Sequence, residues 1–140
     1  MNILIYSNIN NVGYIIGKQL IKLGHNVLLL VDKRNPSTLI ERYDQVYKDE
    51  KYPKWVKKVN FKKPFLLMFS QNKIEPTILN FFKNADLMLA SERGVLIGDF
   101  FMIPTIFIAH GRDIESLNFN VVLTELKHLI KYKKIKQILF

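Results

Sequence analysis

Cysteine is absent from this 140-residue chain, which excludes disulfides and thiolate metal sites and fits a reducing compartment. Long hydrophobic runs are absent as well. No apolar stretch reaches the roughly 18–20 residues that a membrane span needs, and the longest candidate, around residues 100–109, is broken by Pro104. The first residues lead straight into a strand-like run, with no basic n-region and no cleavage site, so no secretory signal is expected. A cytoplasmic location is the resulting expectation. No His, Asp and Glu set has metal-ligand spacing, so neither a metal nor a cofactor is expected.

Acidic residues are also scarce, 12 against 21 Lys and Arg, which leaves a net charge of +9. Most of the basic residues are lysine, a point charge without the fork that grips phosphate bidentately. They suit a solvated surface, or attraction to an anionic membrane face or anionic substrates. No compact basic stripe with interleaved aromatics is present, so nucleic acid is not an expected partner. A hydrophobic fraction of 49% rules out disorder, and the length gives one domain spanning residues 1–140 with a real core.

The chain reads as an alternating β/α series. Strands are expected over residues 2–7, 26–31, 86–90 and 105–109, with a short one at 59–61. Their apolar runs are continuous rather than alternating, which suits strands buried on both faces of a parallel sheet. Helices are expected over 13–23, 38–47, 75–83, 94–101 and 120–136. Gly24 is the left-handed stop of the first, and Pro36 and Pro76 sit at helix starts. The fold class is therefore α/β: a Rossmann-like three-layer domain with a parallel sheet and helices on both faces. Ile3, Ile5, Leu28, Leu30, Leu87, Leu89, Ile106 and Ile108 form the expected core.

Candidate chemistry lies at the carboxyl ends of these strands, where open α/β sheets bind ligands. After the first strand come Asn8, Ile9, Asn10, Asn11, Val12 and Gly13. This is neither Gly-x-Gly-x-x-Gly nor a Walker A loop, and Asp32 does not restore the dinucleotide fingerprint. What survives is a glycine at a helix start, where amides and dipole favour an anion. Gly13 serves that or simply permits the turn. Gly17 is read as allowing close packing on the sheet. Glu92 follows the fourth strand, either orienting a hydroxyl or opening the next helix. The fifth strand ends in His110, Gly111, Arg112 and Asp113: an imidazole, a permissive glycine and two charges, with Asp113 also suited to capping a helix. His25 and His128 read as surface residues.

An apolar strand from Asp86, a short helix, Pro104, a second apolar strand and then His110-Gly111-Arg112-Asp113 resemble the first domain of GT-B glycosyltransferases, in particular the retaining family 4-like group. The likeness covers roughly residues 1–115. It implies an acceptor-side domain that helps transfer a sugar from a nucleotide-sugar to a sugar acceptor. His110 would then face the transferred sugar. Asn11, Gly13, Glu92, Gly111, Arg112 and Asp113 would bind substrate. Arg112 stands where the family has Ser or Thr, and the first loop has one glycine where many relatives have two. The donor-binding domain with its Glu-x7-Glu signature lies outside these 140 residues, so the chain is expected to hold half a site and to be inactive alone. Many members act on lipid-linked acceptors, which makes peripheral attachment through the lysine-rich residues 132–140 a further expectation. A non-catalytic Rossmann-like binding or regulatory module is the alternative.

Overall fold

The computed structural model describes residues 1–48, 51–59, 74–91, 94–109 and 135–139. Six strands form one sheet: β1 (Asn2–Tyr6), β2 (Asn26–Asp32), β3 (Val56–Val59), β4 (Leu87–Ala90), β5 (Thr105–Ile108) and β6 (Ile135–Leu139). Their spatial order is β3-β2-β1-β4-β5-β6. Every pairing is parallel, with Ile5 opposite both Leu29 and Leu89. The chain is thus an α/β protein with an all-parallel sheet, and the four apolar runs expected at its centre, in β1, β2, β4 and β5, lie there. Parallel strands need crossovers. Three α-helices are described: α1 (Val12–Lys22), α2 (Pro76–Asn84) and α3 (Gly94–Phe100).

Alternation along each strand divides the core into two clusters. Leu4, Leu28, Leu30, Met88 and Phe107 belong to one, with Ile78 and Phe82 of α2 and Val95 and Ile97 of α3. Ile3, Ile5, Val27, Leu29 and Val31 belong to the other, with Tyr14 of α1. Ile3, Ile5, Leu28, Leu30 and Leu89 are buried as expected, whereas Leu87, Ile106 and Ile108 are half-buried and pack on the border of the second cluster. Helix α1 ends where Gly24 turns left-handed, at φ +85°. At its close approach to the sheet, Gly17 lies against Trp55 and Ile5. Among the described residues, no helix is long and apolar enough to cross a membrane.

Three expectations are corrected. Residues 38–47 are not an α-helix but part of a run of 3-10 turns, Pro36–Thr38, Ile40–Arg42 and Gln45–Lys48. Leu39 is extended between the first two, and the Ile40 amide donates to the Tyr52 hydroxyl at 3.1 Å instead of continuing a helical ladder. Strand β3 comes earlier than residues 59–61, through Lys57 and Lys58. These lysines remain in a strand because their ammonium groups reach Glu75 (3.4 Å) and Glu41 (2.8 Å) beyond it. The last helix, expected to run through Lys136, does not: Ile135–Leu139 pair with β5. A membrane-lying helical tail over 132–140 therefore loses those residues to the sheet. Residues 120–134 of that helix lie outside the described residues.

Candidate functional site at the carboxyl edge of the sheet

The strand order runs outward in opposite directions from the β1/β4 pair, and the carboxyl ends of those strands flank the point of reversal. Ser7 and Ser91 begin the two loops there. The Ser91 amide donates to the Tyr6 carbonyl at 3.3 Å, and the Ser7 amide to that of Leu30 at 3.1 Å. Both serines are buried.

The loop after β1 turns sharply, with Ser7, Asn10 and Asn11 all left-handed at φ 81°, 52° and 63°. Asparagine tolerates this region better than most residues; serine does so less readily. The organiser of the loop is Asn8, which is fully buried. Its Oδ1 accepts from the Tyr14 amide at 2.6 Å, and its Nδ2 donates to the Thr38 carbonyl (3.1 Å) and to Asn11 Oδ1 (3.2 Å). Asn8 thus caps the third amide of α1 from outside the helix and ties this loop to the turn after β2. The Asn11 amide donates to the Asn8 carbonyl at 3.0 Å, and the Val12 amide to that of Ile9. The α1 amides expected to serve an anion are therefore partly taken by the loop itself.

Gly13 is buried in the first turn of α1. A Cβ there would meet the Ser7 carbonyl oxygen at 2.5 Å, Leu29 at 3.1 Å and Ile5 at 3.2 Å. Asn11 sits beside it at the helix start. These two candidates share the carboxyl edge with Ser7 and Ser91. Glu92, His110, Gly111, Arg112 and Asp113 lie outside the described residues, although β4 and β5, which precede them, end at this same edge. Among the described residues there is no cluster of His, Asp and Glu suited to a metal.

A small pocket of about 30 Å³, lined by Tyr6, Ser7, Leu30, Asp32, Asn35, Thr38 and Val59, opens at the carboxyl ends of β1, β2 and β3. Thr38 braces one wall. Its hydroxyl lies 3.1 Å from the Asp32 carbonyl and 2.9 Å from that of Asn35, and it accepts from the Asp32 amide at 3.2 Å. The Asp32 carboxylate accepts from Arg34 Nε (3.2 Å) and Nη2 (3.0 Å). The other face of the loop carries Tyr14, whose ring stacks on Trp55 at 5.3 Å and whose hydroxyl lies 2.6 Å from that of Tyr47. Burial, followed by the Tyr47 hydroxyl, pushes the Tyr14 phenol above its ordinary pKa, so this phenol stays neutral.

Sequence reasoning places residues 7–13 at this edge and singles out Asn11 and Gly13 there, but not Ser7, Asn8 or Thr38. The signal was there in the three loop asparagines. Which of them is buried depends on the left-handed turns at Asn10 and Asn11.

No family model, no curated protein and no solved structure matches this chain.

Proposed function

We propose that the chain is a Rossmann-like three-layer domain, with helices on both faces of its sheet, that serves as the acceptor-side half of a GT-B type glycosyltransferase. The observation that carries this reading is the reversal of strand order between β1 and β4, with Ser7, Asn8 and Ser91 buried at its carboxyl end. Open parallel sheets place ligands at that position. The succession of β4, a short helix, Pro104, β5 and His110-Gly111 adds the resemblance to the family. In this reading His110 faces the transferred sugar, and Asn11, Gly13, Glu92, Gly111, Arg112 and Asp113 contact the acceptor or the nucleotide-sugar phosphates.

Amide spectra of the labelled chain test the proposal. Titration with UDP-glucose is expected to move the resonances of Ser7, Asn8, Asn11, Gly13 and Ser91, with an affinity in the millimolar range. His110→Ala is expected to weaken that binding about fivefold, the scale of one lost hydrogen bond, with the melting temperature unchanged. Shifts confined to the amino ends of the strands would remove the site from this edge. Parallel loss of stability and binding in His110→Ala would make the imidazole a packing residue.

A non-catalytic binding module is the second reading. It is favoured by the self-satisfied amides of Asn11, Val12 and Tyr14, which leave less of the α1 N-terminus for a phosphate. Sugar transfer by the chain when supplied with a donor-binding domain, and its loss in His110→Ala, would exclude it.

A further inference from the structure

We infer that the pocket at the ends of β1, β2 and β3 is a subsite for a pair of neighbouring hydroxyls on a sugar ring, read by Ser7 Oγ and the Asp32 carboxylate. This holds whether or not the chain is half of a transferase. Ser7 carries two local penalties at once. Its backbone is left-handed, at φ 81°, and its buried hydroxyl has no hydrogen-bond partner among the described residues. It is 8% exposed. Glycine would relieve the backbone strain, and glycine or alanine would remove the unpaired hydroxyl. A residue doubly unfavourable to folding, at the carboxyl edge of a parallel sheet, points to a ligand that completes it.

The other lining groups narrow the chemistry. Asn35 Oδ1 is already bonded to the amide and hydroxyl of Ser37, and the Thr38 hydroxyl to the strand-end backbone. Asp32 Oδ1 already accepts from the Arg34 amide (2.9 Å) and Nε (3.2 Å), but Oδ2, which accepts from Arg34 Nη2 (3.0 Å), has a second lone pair for a hydroxyl. An anion would meet the Asp32 carboxylate, and a cation would meet Arg34. A neutral hydroxyl donor meets neither objection. About 30 Å³ holds one or two water-sized groups, not a whole ring. The ring would therefore stay at the mouth while its hydroxyls enter. A nucleoside ribose offers a cis pair of neighbouring hydroxyls and a glucoside a trans-diequatorial pair, so the probes separate the two sources.

Neutral probes avoid the lysine-rich surface. Uridine, 2′-deoxyuridine and methyl glucoside are titrated into the labelled 140-residue chain at millimolar concentrations. Shifts at Ser7, Leu30 and Asp32 with uridine, and about tenfold weaker binding of 2′-deoxyuridine, identify a ribose diol. The same shifts with methyl glucoside identify a hexose. Ser7→Ala keeps the backbone and removes the hydroxyl. It is expected to lower either affinity about tenfold while leaving the melting temperature unchanged or higher. Silence with all three probes, or equal binding of uridine and 2′-deoxyuridine with no glucoside response, overturns the inference. So does a lower melting temperature in Ser7→Ala, which would show a hydroxyl that serves the fold by holding water.

Discussion

Replacing Asn8 by alanine is expected to lower the unfolding free energy by about 3 kcal/mol, a large fraction of what a domain of this size has. The side chain makes three hydrogen bonds inside the protein. Truncation strands the Tyr14 amide and the Thr38 carbonyl, each paired with Asn8 at a fully buried position. A stranded buried group costs about 1–3 kcal/mol, more than the net worth of the bond itself. Urea unfolding checks the prediction, and the slope with denaturant should not change, because the same surface is exposed on unfolding. Amide exchange at Tyr14 should accelerate with the loss of its cap. The control lies two residues away: Asn10 is exposed and left-handed, so Asn10→Gly is expected to change stability by only a few tenths of a kcal/mol. Equal effects of the two substitutions would remove Asn8 from the centre of the loop.

The parts of the fold that were legible in the sequence are those written in continuous apolar runs. Residues 3–5, 27–31 and 87–90 could be little other than buried strands, and the glycine at position 24 marks a helix end through its backbone alone. Legibility failed where two conformations share one pattern. Ile40, Tyr43 and Tyr47 have helical spacing, but the Ile40 amide donates to the Tyr52 hydroxyl instead of to a helical carbonyl. Val56-Lys57-Lys58-Val59 looks too charged for a strand until the salt bridges to Glu41 and Glu75 are known. Ile135 and Ile138 are three residues apart, a helical interval, yet pairing with β5 decides the matter, as sheet context often does. The candidate site divides in the same way. The carboxyl edge followed from the strand pattern. Asn8 did not, because its role arises from a contact with Thr38 thirty residues away.

Gly13→Ala is the substitution that separates packing from ligand binding at this edge, and it is expected to destabilise the protein by about 2 kcal/mol. Alanine in a helix gains up to about 1 kcal/mol over glycine, so by propensity alone the change should stabilise α1. The added methyl, however, would lie 2.5 Å from the Ser7 carbonyl oxygen, with Leu29 and Ile5 closing the other sides. That oxygen belongs to backbone fixed by the Ser7–Leu30 hydrogen bond and cannot swing away. Overpacking typically costs 1–3 kcal/mol, and a backbone clash belongs at or beyond the top of that range. Gly17 supplies the comparison. Its Cβ would meet the Trp55 ring at 2.6 Å, and a ring edge can shift, although stacking on Tyr14 resists it. Gly17→Ala is therefore expected to cost less, about 1 kcal/mol net. Gly24 has nothing within 4 Å and pays only for its positive φ, so Gly24→Ala isolates the conformational term, about 1 kcal/mol. If Gly13→Ala proved as stable as the parent while UDP-glucose binding disappeared, the glycine would belong to an anion cradle rather than to the contact between α1 and the sheet.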